Sequence, residues 1–174
     1  MKSLRKYTIP FSGLKLGKHR FDFDVDDSFF EAFEYSLVKK AKLACNVELD
    51  KQETMLILNF EIDGWIGLTC DRCLTDYEHP IHIREQQIAK FSAEEVDEDD
   101  EIITLGKNDH EIDITGLIYE YVTVAVPFIA SCSGDGSADK CNKEMLDKLN
   151  ALSGSDDDKN EATDPRWDAL KNIK

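Results

Sequence analysis

The stretch Trp65-Ile-Gly-Leu-Thr-Cys70-Asp-Arg-Cys73-Leu-Thr-Asp-Tyr77 is the one on which the fold turns. Before it the chain alternates apolar and polar residues. After it, Tyr77 to Phe91 alternates again through Ile81, Ile83 and Ile88. A period of two marks a strand with one buried face. The Cys70-x-x-Cys73 segment therefore falls on the turn between two long antiparallel strands. Contacts this local favour a meander over a parallel sheet.

Working toward the N-terminus, Asp63-Gly64 is a turn signal that makes Trp65 to Thr69 a strand of its own. Thr54 to Ile62 and Ala41 to Leu49 alternate on either side of Asp50-Lys-Gln-Glu53, as a hairpin would. Cys45 is in phase with Leu43, Val47 and Leu49, so it reads as a small core residue. Phe29, Phe30 and Phe33 sit on a short helix that Asp26 or Asp27 can cap. His19 to Val25 is another half-buried strand, and Tyr7 to Phe11 is a short one that Pro10 places at an edge.

Toward the C-terminus, Ile102 to Leu105 reads as one more strand. Asp113 or Thr115 opens a helix bearing Leu117, Ile118, Tyr121, Val122 and Ala125, ended by Pro127. Phe128 to Asn142 is a loop with Cys132 and Cys141, and Glu144 to Leu152 is a short amphipathic helix. These elements predict an α+β domain over 1–152: a curved antiparallel β-sheet, meander-like, with two or three short helices covering one face. Within it, 92–101 reads as a mobile acidic loop, because seven carboxylates occupy the eight positions Glu94 to Glu101. An acidic flexible linker over 153–163 then leads to a short C-terminal helix over 164–174. Asp164-Pro165 starts that helix, and Trp167, Leu170 and Ile173 share one of its faces.

The formal net charge of −15 repels nucleic acid and anionic membranes on average. The average conceals an asymmetry, because no carboxylate side chain precedes Asp22 while Lys2, Arg5, Lys6, Lys15, Lys18 and Arg20 do. This basic end is the one segment suited to phosphate. Neutralising the chain's own acidic stretches is an equally good use for it. No apolar run has the length of a membrane span, and the N-terminus does not read as a signal peptide. A cytoplasmic protein is expected. No nucleophile-base pair, P-loop, G-x-S-x-G or H-E-x-x-H pattern occurs, and no enzymatic activity is expected.

In a reducing compartment the five cysteines should be thiols or metal ligands rather than disulfides. A CxxC turn brings two sulfurs to one side, and tetrahedral zinc wants two more ligands. Cys132 and Cys141 are the candidate second pair for Cys70 and Cys73, with His79 and His82 in reserve. A structural zinc ion and plain reduced thiols both fit this pattern. A redox dyad fits less well, since it needs its first cysteine at a helix N-terminus and Leu74 to Pro80 reads as a strand approach.

Three features in order resemble the YceD family, the large ribosomal RNA subunit accumulation proteins. They are the Cys70-Asp-Arg-Cys73-Leu74 turn, the Ile112-Asp113-Ile114 opening of a helix ending at Pro127 with a cysteine soon after, and the terminal Asp164-Pro165-Arg166-Trp167. The resemblance runs from about the first helix to the C-terminus. It implies a non-enzymatic role in accumulation of large-subunit ribosomal RNA or its precursor particle. Cys70, Arg72, Cys73, Cys132 and Cys141 carry over, but the spacing from Cys132 to Cys141 is looser than in many relatives. On this reading Arg5, Lys6, Lys15, Lys18 and Arg20, with Arg72, contact RNA. The acidic segments can instead hold a basic ribosomal protein. A thiol- or zinc-dependent regulatory protein is the competing expectation.

Overall fold

The computed structural model describes residues 4–92, 102–106, 108–132 and 141–153. A single 3-10 turn, Leu4–Tyr7, leads into β1 (Thr8–Pro10), which pairs antiparallel with β7 (Glu111–Asp113) as a separate two-stranded sheet. The main sheet has the order β2-β3-β4-β5-β6, formed by Gly17–Asp26, Ala41–Lys51, Met55–Thr69, Asp76–Phe91 and Ile102–Leu105. Its first four strands form the expected antiparallel meander. β6 departs from it by pairing parallel to β5, Ile88 opposite Ile102. Parallel pairing requires a crossover rather than a hairpin.

The Asp63-Gly64 turn does not exist. β4 runs unbroken through both residues, with Gly64 opposite Leu43 on one side and Ile81 on the other. Gly64 has φ +145°, and a Cβ there would stand 2.2 Å from the Lys42 carbonyl oxygen. Glycine is present because the β3 backbone passes too close for a side chain. The dipeptide that reads locally as a turn is a close strand approach.

The core lies on the face where Leu43, Cys45, Val47 and Leu49 of β3 meet Leu56, Leu58, Phe60 and Ile62 of β4. Cys45 is buried there and its thiol is pushed up to about 12 by burial, as suits an inert core residue. α1 (Asp27–Phe30) and α2 (Thr115–Val124) cover this face with Phe29, Phe30, Ile118 and Val122. Asp26 caps α1 by accepting from the Ser28 amide. Phe33 falls beyond the end of α1, and its ring stacks on Tyr119 of α2 at 3.8 Å. The Asp113 carboxylate accepts the Thr115 amide at the start of α2.

α3 (Lys143–Leu152) is capped by Asn142, which accepts from the Met145 amide. It buries no residue fully, but Leu146 packs against a second, smaller cluster made by Cys70, Cys73, Tyr77, Ala130 and Cys132. Most of the acidic loop, the linker beyond Ser153 and the C-terminal helix expected over 164–174 lie outside the described residues.

A four-cysteine centre at one end of the sheet

β4 and β5 extend past the end of β3: Ala41 pairs with Ile66, while the β4–β5 ladder continues to Thr69 and Asp76. The CxxC turn closes this projecting arm. Its backbone is held by the Leu74 amide on the Cys70 carbonyl and the Cys70 amide on the Thr75 carbonyl, both at 2.9 Å. Leu74 sits at φ 58°, the one non-glycine in the left-handed region among the described residues. That conformation costs an L-residue about 1–2 kcal/mol. A zinc knuckle commonly has glycine near this place, and here leucine adopts the glycine-like backbone instead.

The second pair of cysteines reaches this turn. After α2 the chain passes Pro127 and lies against Asp71. The Asp71 amide donates to the Ala130 carbonyl at 2.8 Å, and the Ala130 amide donates to the Asp71 carboxylate at 2.7 Å. This clamp delivers Cys132, whose Sγ is 3.5 Å from that of Cys73 and 3.1 Å from that of Cys141. Cys70, Cys73 and Cys132 are buried, with sulfurs mutually within 4.8 Å, and Cys141 is partly exposed. None of the five cysteines is in a disulfide.

Three of these sulfurs, those of Cys70, Cys73 and Cys132, lie close enough together to share one ion, while the Cys141 sulfur adjoins that of Cys132 without lying within 4.8 Å of all three. A Zn–S length of about 2.3 Å implies sulfur separations of about 3.8 Å, so Cys141 must shift to become the fourth tetrahedral ligand. The electrostatics of the cluster point the same way. The Cys73 thiol is lowered to about 6 by the Thr75 hydroxyl and by the amides of Asn142 and Thr75. Cys70 is lowered by the amide of Cys132, then by those of Cys73 and Arg72. Cys132 is raised, first by its hydrogen bond to Cys141 and then by burial. The site thus favours thiolate at the CxxC and resists it at Cys132. Cys70, Cys73 and Cys132 can ionise together only beside a cation.

Asn142 does two things here, capping α3 and directing its own amide at Cys73. A helix N-terminus therefore faces the second cysteine of the CxxC, supplied by a different part of the chain. Sequence reading missed Asp71, Thr75 and Asn142. Their available signals were an acid inside the CxxC turn, a hydroxyl two residues beyond it, and a helix cap beside Cys141. The reserve histidines stand elsewhere: His82 pairs with Asp63 on the exposed sheet face, and the His79 ring lies edge-on to Tyr77 at 6.1 Å.

The six cations expected to contact RNA are not brought together. Lys18 and Arg20 project from β2, and both meet Glu48 of β3, at 2.7 and 3.7 Å. Glu48 is correspondingly held below the usual carboxylate range, first by Lys18. Lys6 sits over its neighbour Tyr7 at 4.8 Å, and Arg5 shares the same 3-10 turn. Lys15 is exposed before β2, toward the sheet end where Gly17 pairs with Lys51. Arg72 is exposed in the CxxC turn, at the opposite end. Between these ends, the outer sheet face forms a groove of about 780 Å³ lined in part by Asp22, Glu48, Glu61, Glu85, Arg20 and Arg84. Arg84 is paired with Glu61, so carboxylates are in excess there.

An open, long-stranded sheet whose projecting turn gathers three buried cysteines, with Cys141 against the third, defines a small α+β protein with a cysteine centre. Residues 58–174 match the family described as Large ribosomal RNA subunit accumulation protein YceD, and the chain belongs to that family. The match begins inside β4 rather than at the first helix and takes in Cys70, Cys73, Cys132 and Cys141. No curated protein and no solved structure matches the chain. Among the described residues, no helix is long and apolar enough to cross a membrane.

Proposed function

We propose that this chain is a non-enzymatic, cytoplasmic ribosome-biogenesis factor that supports accumulation of large-subunit ribosomal RNA, built around a structural zinc ion on Cys70, Cys73, Cys132 and Cys141. Its family membership over residues 58–174 is the observation that carries the functional half. The sulfur spacings and the opposed thiol shifts support the zinc half. Burial of Cys70, Cys73 and Cys132 argues for a structural over a regulatory role, because a redox thiol must meet its oxidant. Zinc bound there would tie the β4–β5 arm to the segment after α2 and to the start of α3. It would reinforce the Asp71–Ala130 clamp and the packing of Leu146 that already join them.

Depletion of the protein in its host tests the function. Mature large-subunit RNA should fall relative to small-subunit RNA, and unchanged levels with normal subunit profiles would refute it. Elemental analysis of protein purified without chelator tests the ion, with one zinc per chain expected. The acidic groove favours a second reading, in which the protein shields a basic ribosomal protein. Crosslinking from Glu61 or Glu85 positions separates the two by whether RNA or a basic polypeptide is captured.

A further inference from the structure

The proposed role calls for an RNA contact, yet the basic N-terminal segment is dispersed and partly neutralised by Glu48. The opposite end of the sheet differs. Lys39 and Lys40 are exposed just before β3, and the Lys40 carbonyl accepts the Gly67 amide at 2.7 Å. That contact puts the lysine pair beside the base of the CxxC arm. Arg72 is exposed within the turn, and Lys143 is exposed next to Asn142, whose amide faces Cys73. None of these four cations has a carboxylate partner among the described residues. The acids of the turn itself are engaged, Asp71 with the Ala130 amide and Asp76 with the Thr69 hydroxyl.

A large aromatic side chain is also exposed at this end: Phe128, two residues before the Ala130 clamp, is 100% exposed. Tyr35, four residues before Lys39 in the chain, is 86% exposed. A phenyl ring left wholly in water is unfavourable unless something covers it. Unpaired cations interleaved with open aromatic rings suit single-stranded nucleic acid, with phosphates meeting the cations and bases stacking on the rings. On a chain of net charge −15, such contacts must be local to overcome the average repulsion.

We infer that the cysteine end of the sheet is a binding surface for single-stranded RNA, with Lys39, Lys40, Arg72 and Lys143 contacting phosphate and Tyr35 and Phe128 stacking on bases. The inference rests on the RNA-related role proposed above and adds the site to it. The cysteine centre, on this view, fixes the geometry of the surface, because Arg72, Phe128 and Lys143 come from three segments that converge on the thiols.

The test uses the full chain and a fluorescein-labelled 20-nucleotide oligouridine, followed by anisotropy across salt concentrations. Lys39→Ala with Lys40→Ala should weaken binding about tenfold or more and reduce the salt slope by about 1.4, the share of two single-strand phosphate contacts. Phe128→Ala should weaken it roughly 5- to 100-fold with little change in slope. Lys18→Ala with Arg20→Ala should leave binding within about twofold, since both already meet Glu48. Absence of wild-type binding at low salt, or loss of binding on changing Lys18 and Arg20 alone, would overturn the site. So would photocrosslinks from position 128 that capture only protein. In the host, a null strain with normal large-subunit RNA refutes the role itself. A defective null strain rescued fully by the Lys39, Lys40 and Phe128 triple variant refutes the site and leaves the role standing.

Discussion

Replacing Gly64 by alanine should unfold a large part of the domain's stability, and the structure sets the size of the effect. The new Cβ would lie 2.2 Å from the Lys42 carbonyl oxygen and 3.0 Å from the Leu43 Cα. Ordinary carbon contacts begin at about 3.5 Å, so the backbones must separate by roughly 1 Å or the ladder must break. Both obstacles are backbone atoms of the neighbouring strand, which cannot swing aside as a side-chain tip would. The φ of +145° adds about 1–3 kcal/mol of strain for any residue with a Cβ. One disrupted ladder hydrogen bond adds about 1 kcal/mol. The sum is about 2–4 kcal/mol, a large fraction of the roughly 5–15 kcal/mol typical of a domain. Urea unfolding followed by far-UV circular dichroism measures it. With a slope of about 2 kcal/mol/M, the midpoint should fall by roughly 1–2 M. Gly13→Ala is the control, because a Cβ there meets nothing within 4 Å. A Gly64→Ala midpoint within about 0.5 M of the wild type, at unchanged slope, would refute the close-approach account of β4.

Four further outcomes are expected. Cys132→Ser should lower the bound zinc and the melting temperature together, whereas Cys45→Ser, at a core position outside the cluster, should cost stability with zinc unchanged; metal analysis with calorimetry separates them. Asp71→Ala removes the carboxylate that holds the Ala130 amide and should accelerate zinc loss to a chelator by about 10-fold or more, read with a colorimetric indicator. Leu74→Gly relieves a left-handed leucine that is mostly exposed, so it should be neutral to stabilising by up to about 1 kcal/mol in urea titrations. Asp26→Ala removes the α1 cap and should cost about 1 kcal/mol at neutral pH. The Ser28 hydroxyl holds the Asp26 carboxyl below its ordinary 3.8. Its contribution is therefore complete above that value and lost as pH falls through the lower folded one, so wild-type and variant stabilities should converge in acid.

The alternating stretches located all four strands of the meander because burial of one sheet face imposes a period of two whatever the rest of the chain does. The same reasoning identified Cys45 as core, and local composition narrowed the cap of α1 to Asp26 or Asp27, of which the structure uses Asp26. Asp63-Gly64 misled because glycine serves turns and close strand approaches alike, and only the position of Lys42 on the next strand separates them. The parallel pairing of β6 was equally hidden, since strand direction depends on where the crossover returns.

The Cys70-x-x-Cys73 turn marks the same division. Its place between two long strands, its four candidate thiols and its family were all legible in the chain, because each depends on residue type and local spacing. That Cys132 and Cys141 reach it was decided in three dimensions, by the Asp71–Ala130 clamp and the capped start of α3. So was the fate of the cations: Glu48 lies close to Lys18 and Arg20 only because β2 and β3 pair in one register, while Lys40, unremarkable along the chain, is brought by its carbonyl to Gly67 near the base of the arm that carries Arg72. Sequence order sets which groups exist and how nearby residues alternate, but charge pairing and metal geometry depend on distances between segments that only the tertiary fold brings together.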